Sequence, residues 1–443
     1  MSETKPALDR RLGVTSATMF GLSYMSPMVV IATFGAIAVK TQGAVGTAYI
    51  IAIVAMLITA ISYGYMSSRM PVAGSAYTYS SSVLGRTLGF AVGWVLLLDY
   101  FFIPMVICLL TATGLSTLDP NVPFWVWVVG VAILSTVINA LGITVTDRVN
   151  LVIMALQLVM VVAILYLCVR YAFETPSIGT LVSPQPFTNK DTNFSLIMAG
   201  AAVACYSFLG FDAISTLSEE TVDPRRSIPR AIFIATLLGG AIFLATAYFM
   251  MLVHPSLKFA SEDTAAYEIA GQIGGPFFKT VFTLVVTIAF FAAGLCAHAS
   301  ASRLLYVMGR DNVLPSVGFS YLHPVFKTPI INICLVGVVM LIAARLDIAT
   351  STSFINFGAF TAFCAVNLCV VVHILRNRGN DSGGKLSAAA LALVGALACA
   401  SLFFSLDGLA VKLGVIWLCV GIVYLACKTR CLTKPLPAVA VGE

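Results

Sequence analysis

Charge is what this chain has least of. Asp, Glu, Lys and Arg make up 10% of its 443 residues, against about 25% in soluble proteins. Hydrophobic residues make up 59% and the mean hydropathy is +0.98. A water-soluble globular protein is therefore excluded, and a polytopic membrane protein is expected. Histidine numbers only four, and no H-E-x-x-H occurs. G-x-x-x-x-G-K-[ST] and G-x-S-x-G are missing too. Zinc hydrolysis, a nucleotide-driven pump and serine-nucleophile chemistry lack their signatures, and no metal or cofactor is expected. The eleven cysteines contain no C-x-x-C pair and lie almost wholly in apolar runs, such as Cys108, Cys205, Cys296 and Cys364. They read as small buried hydrophobes. A cleavable signal peptide is not expected either, because the polar start gives way to an apolar run, Val14 to Val39, too long for a signal core.

What the chain does have is apolar stretches of the length that crosses a bilayer, about 20 residues. Twelve are expected, near 14–39, 45–68, 87–113, 123–141, 149–172, 194–218, 230–253, 277–308, 329–346, 353–375, 386–405 and 408–427. An even number places both termini on one side. With the termini cytoplasmic, 18 of the 25 Lys and Arg fall inside and seven outside, as the positive-inside rule requires. The net charge of +6 is then a topology signal, and nucleic acid is not an expected partner; membrane lipids are. The longest outside loops are near 173–193 and 254–276, the second with room for a short surface helix.

Two spans are interrupted at mid-membrane. The first carries Gly21-Leu22-Ser23-Tyr24-Met25-Ser26-Pro27, and the sixth carries Ser207-Phe208-Leu209-Gly210-Phe211-Asp212. Glycine frees the backbone, proline removes a donor, and a carboxylate at bilayer depth costs roughly 2.5–3.5 kcal/mol on insertion scales. Lipid contact fits neither break, since unwound backbone is tolerated only inside protein or beside water. The breaks lie five spans apart, the spacing of an inverted repeat, and matched interruptions point to a transporter's binding site.

These stretches resemble the amino acid–polyamine–organocation permeases over roughly residues 12–430. The resemblance rests on Pro71-Val72-Ala73-Gly74-Ser75-Ala76-Tyr77, Gly89-Phe90-Ala91-Val92-Gly93-Trp94, the Gly-Phe-Asp break, Glu219-Glu220, Asp223-Pro224-Arg225-Arg226-Ser227-Ile228-Pro229, and Ser302-Arg303 through Arg310-Asp311. Gly21 to Met28, Leu98-Asp99-Tyr100 and His298-Ala299-Ser300 are most similar to bacterial putrescine importers within that family. The resemblance implies an all-α fold of 12 transmembrane helices, a LeuT-type five-plus-five inverted repeat with helices 1 and 6 broken, and two additional C-terminal helices. The repeats would span 13–172 and 194–376, and the added helices 386–427. Two positions depart from the pattern. Ala32 stands where those importers carry an aspartate, and Gln157 where cationic amino-acid members often carry a lysine.

The helix breaks expose backbone carbonyls suited to an ammonium and amides suited to a carboxylate. Tyr24, Met25, Ser26 and Pro27, with Phe208, Leu209, Gly210 and Phe211, are the expected contacts. Asp99, in the middle of span three, reads as an amine counter-charge or proton site, or as a brace for unwound backbone. Asp212 reads as an N-cap or a proton site. His298 in span eight reads as a proton site or a satisfied core group. The resemblance makes Tyr206 an aromatic shield over the substrate; packing is the other reading. Tyr63, Phe354, Asn356 and Phe357 read first as packing. Glu219, Glu220 and Arg303 suggest an ion-paired cytoplasmic gate, or solvated interfacial charges. The expected activity is secondary active import of a small amine or amino acid across the bacterial inner membrane by alternating access. A putrescine-like amine comes first, and an amino acid without diamine preference is the alternative. Protons are favoured as the coupling ion, and sodium at span-one carbonyls with Ser300 and Ser302 stays open. A channel lacks a continuous polar path, and a membrane-embedded enzyme lacks a catalytic constellation.

Overall fold

Pro27 and Gly210 fix the two points at which the helices of this computed structural model are interrupted. The structure describes residues 12–72, 75–142, 147–175, 181–310, 314–326, 328–377 and 382–429. Helix α1 (Val14–Met25) ends where Ser26 takes φ 55°, and α2 (Val29–Lys40) departs at 48° to it. The Ser26 N–H still donates to the Leu22 carbonyl at 3.0 Å. Pro27 has no N–H to offer the Ser23 carbonyl, so the ladder stops there.

Then follow α3 (Val45–Arg69), α4 (Ser75–Val83), α5 (Arg86–Leu118), α6 (Phe124–Ala140) and α7 (Asp147–Glu174). The second interrupted segment is α8 (Phe194–Ala204), the 3-10 turn η1 (Cys205–Phe208) and the 3-10 helix η2 (Asp212–Glu219), with Gly210 at φ 115° between the last two. After it come α9 (Pro224–Val253), η3 (Glu262–Thr264), α10 (Ala265–Arg310), the short turn α11 (Ser316–Phe319), α12 (Ile330–Met340), η4 (Leu341–Arg345), α13 (Ile348–Arg376), α14 (Ser382–Phe403) and α15 (Gly408–Thr429). Among the described residues nine helices are long and apolar enough to cross a membrane, and the bent α1–α2 pair makes a tenth. Two shorter apolar helices, Phe124–Ala140 and Ile330–Arg345, fall below that length.

The architecture departs from the sequence expectation in three places. The third apolar segment is longer than 87–113, because α5 runs to Leu118. Residues 75–83, expected as loop, form α4, whose Ser75, Ala76, Tyr79 and Ser80 are buried. The helix expected on the surface of the 254–276 loop is instead a buried one: Ala265, Tyr267, Ile269 and Ala270 are almost inaccessible. Gly275 at φ 77°, followed by Pro276, separates it from the long part of α10.

The core is a bundle in which α5 runs along α10 and α13, while α3 runs along α9. Small residues set these approaches. A β-carbon on Gly358 of α13 would press on the Val95 carbonyl of α5, and one on Gly64 of α3 would touch Pro229 of α9. At one end, Trp94 of α5 and Trp417 of α15 stack 5.3 Å apart. Each indole N–H donates to the other residue's carbonyl at 2.9 Å.

Candidate functional site

Where α1 ends lies a cavity of about 80 Å³ walled by α1, α5, α7, η1 and α10. A buried water needs about 10–15 Å³ by this measure, so the cavity holds a handful of waters or one small molecule. Tyr24, Met25 and Ser26 line it from the first break, and Tyr206 and Leu209 from the second. The two breaks therefore share one space.

Local geometry holds each break open. The Ser26 hydroxyl donates to Gln157 Oε1 at 2.7 Å, tying the first break to α7. The Tyr49 hydroxyl lies 3.2 Å from Thr33 Oγ1 of α2 and 3.3 Å from Ser207 Oγ of η1, so one α3 side chain joins both interrupted segments. Asn356 of α13 donates to the Ala202 carbonyl at 2.7 Å, near the end of α8. Gly210 lies flat against Tyr24, and a β-carbon there would overlap the Tyr24 ring.

Two carboxylates sit behind this wall. Asp99 is buried and its Oδ1 has no hydrogen-bond partner among the described residues. Asp212 is buried as well. Its Oδ1 accepts the Gly210 N–H at 3.3 Å, while Oδ2 is unpartnered. This differs from an N-cap, since the carboxylate reaches back to the break and the helix it opens is 3-10. The two acids are electrostatic neighbours, and Tyr24 is a neighbour of both. Five residues beyond Asp99, Pro104 interrupts the α5 ladder and withholds a donor from the Tyr100 carbonyl. A pair of acids, freed carbonyls and an aromatic lid can hold an ammonium group or a proton.

Other expected residues lie elsewhere. Pro27 is buried at the turn outside the cavity lining. Phe208 packs edge-on against Phe243, and Phe211 against Tyr63 and Phe363. Phe354 packs on Phe102, and Phe357 on Phe403. His298 is fully buried between α6 and α12, with Ser135 Oγ at 3.0 Å from Nδ1 and the Ile333 carbonyl at 2.9 Å from Nε2. Both ring nitrogens are engaged, and it does not line the cavity, although Cys296 and Ala297 beside it do. Ser302 donates to the His298 carbonyl.

On the side of the chain's start, Leu12 bridges to Thr221: its N–H donates to the Glu220 carbonyl at 3.0 Å, and its carbonyl accepts from Val222 at 2.9 Å. The start of the first interrupted segment is thereby tied to the end of the second through backbone. Arg303 is exposed and Glu220 half-buried, and neither forms an ion pair among the described residues. The side chains of Glu219 and Arg310, together with Asp311, lie outside the described residues. Sequence reasoning missed the apolar wall formed by Ile103, Ile107 and Leu110 of α5. The signal was present in their helical spacing from Asp99, which puts all four on one face.

The sequence profile of the amino acid permease family matches residues 12–425. This chain belongs to the amino acid permease (APC) family. It is an integral membrane transporter, not an enzyme. The permease is 41% identical over 433 residues to the low-affinity putrescine importer PlaP of Escherichia coli K12, covering 97% of this chain and 96% of that protein. It is 25% identical over 446 residues to the branched-chain amino acid permease BcaP of Bacillus subtilis, covering 94% and 92%. The methylthioribose transporter of the same bacterium is 26% identical over 443 residues, with 94% and 92% covered.

Proposed function

We propose that this permease imports a small primary amine across the bacterial inner membrane by proton-coupled alternating access, with putrescine the first compound to test. The proposed frame is twelve spans with cytoplasmic termini, made of two inverted repeats of five and two further helices. Its support is the pair of interrupted segments five spans apart, and the nine long helices, bent pair and two shorter apolar helices that reach twelve if all cross. The amine reading draws on the 41% identity to a putrescine importer. A branched-chain amino acid permease among the relatives keeps an amino acid as the second reading.

One observation carries the proposal: Asp99 is buried with an oxygen unpartnered, an electrostatic neighbour of Tyr24 at the first break and of Asp212 at the second. An ionised carboxylate taken out of water loses several kcal/mol of hydration. An arriving ammonium restores that loss and a proton cancels it, so the acid can exchange one for the other. Tyr24 and Tyr206 shield the exchange from water, and Gly210 lets the chain pass close enough to Tyr24 for both acids to share it. Asp99→Asn should lower putrescine transport efficiency in proteoliposomes at least tenfold, about 1.4 kcal/mol. Unchanged uptake by that variant would make Asp99 a structural brace.

A further inference from the structure

The ring of Tyr63 on α3 is fully buried and stands edge-on to Phe211, Phe363 and Tyr79, with centroids 5.6, 5.9 and 6.3 Å away. Its hydroxyl, by contrast, has no hydrogen-bond partner among the described residues. Asp212 follows Phe211 in the chain. It acts on Tyr63 more strongly than any other charged neighbour, and its Oδ2 is unpartnered too. A buried donor thus stands near a buried acceptor, and either one is costly to leave without its bond.

The same pattern continues beyond Tyr63. Helix η2, which Asp212 opens, packs against both α3 and α4. On α4 the buried Tyr79 hydroxyl neighbours Asp212 and Ser215. It has no partner of hydrogen-bond geometry, since the Ser215 proton already goes to the Asp212 carbonyl at 2.6 Å. Ser75 Oγ, one turn earlier on the same face of α4, is likewise buried and unpartnered. Just before it, Arg69 at the end of α3 is exposed. Leu12 pairs with Thr221 just past η2, so this row of hydroxyls lies on the side of the chain's start. None of the described residues lining the cavity comes from α3 or α4.

We propose that Tyr63 and Tyr79 relay the proton between Asp212 and the cytoplasmic face, along a route separate from the cavity that takes the amine. This rests on the proton-coupled reading above and deepens it. The Asp212 carboxyl gives its proton to the Tyr63 oxygen as the Tyr63 proton passes to Tyr79. The Tyr79 proton moves on past Ser75 to water. One proton enters the row and one leaves it, Asp212 ends ionised and each hydroxyl ends neutral. A hydroxyl both donates and accepts and turns to suit its partner, and a single water bridges two of them nearly as well as direct contact does.

Tyr63→Phe removes the oxygen and keeps the ring on Phe211 and Phe363. In proteoliposomes of the full-length variant, accumulation of labelled putrescine under an inward proton gradient should fall at least tenfold. Exchange of labelled external for unlabelled internal putrescine should stay within twofold of wild type, because a loaded carrier can return without releasing its proton. Where Tyr63→Phe does not fold, Tyr79→Phe is read by the same two assays with the same expectation. Accumulation at the wild-type level, or an equal loss of accumulation and exchange, overturns the relay and leaves the proton-coupled reading standing. A wild type that does not accumulate putrescine under the gradient overturns that reading and the relay with it.

Discussion

Gly210 combines two local constraints. Its φ of 115° lies where an L side chain is strained, and the space beside its α-carbon is taken by Tyr24. Left-handed backbone costs a non-glycine residue roughly 1–2 kcal/mol, before any overlap with the ring. Gly210→Ala is therefore expected to displace Tyr24 and cut uptake below one-tenth, while the protein still inserts and runs as a single peak in size-exclusion chromatography. Uptake at the wild-type rate would show that the Gly210–Tyr24 contact is dispensable. Asp99, Asp212 and Gly210 were legible in the sequence because a charge or a glycine stands out in an apolar run. Their grouping was not, since Asp99 and Asp212 are brought together by helices 113 positions apart in the chain. From sequence His298 reads equally as a proton site or a satisfied group, because its partners, Ser135 and the Ile333 carbonyl, leave no trace in the residues next to it.

At the level of elements, the first break depends on α7. The Ser26–Gln157 hydrogen bond is buried, so removing one partner strands the other, at about 1–3 kcal/mol, while removing both can be nearly neutral. Gln157→Leu should lower the melting midpoint of the detergent-solubilised protein, and adding Ser26→Ala should restore most of it. Equal and additive losses would mean that the bond does not hold the break. Both interrupted segments could be foreseen because glycine and proline punctuate them. Helix α4 could not: Ser-Ala-Tyr-Thr-Tyr-Ser-Ser-Ser-Val has no apolar run, and its burial comes from α5 and α13 packed around it. The burial of the helix before Gly275 is hidden in the sequence for a related reason. A charged residue, Glu268, in a short segment suggests solvent, yet its carboxylate accepts from the Ala260 N–H and the Thr264 hydroxyl, which leaves the apolar face free to pack inward.

Across the whole molecule, the alternating access proposed above requires that the two interrupted segments move in concert, and the proposed coupling requires an ion gradient to drive them. Tyr49 joins them on one side of the breaks, and the Leu12–Thr221 backbone pairing joins them at the other. With Asp99 and Asp212 the only carboxylates among the buried described residues, the expected driving ion is the proton. Proteoliposomes given an inward proton gradient should accumulate labelled putrescine, and a protonophore should abolish this. Accumulation under a sodium gradient alone would reject proton coupling.

The Trp94–Trp417 pair has an optical consequence. The chain has four tryptophans, and two of them are locked face to face with each N–H engaged. Indoles at that separation share excitation, whereas Trp125 on α6 is exposed and emits independently. Replacing Trp125 and Trp127 with phenylalanine would leave the stacked pair as the sole indole chromophore. Its circular dichroism and emission would then follow the spacing of α5 and α15 in real time, giving this permease a label-free gauge of how far the helix bearing Asp99 shifts against the end of the chain during a transport cycle.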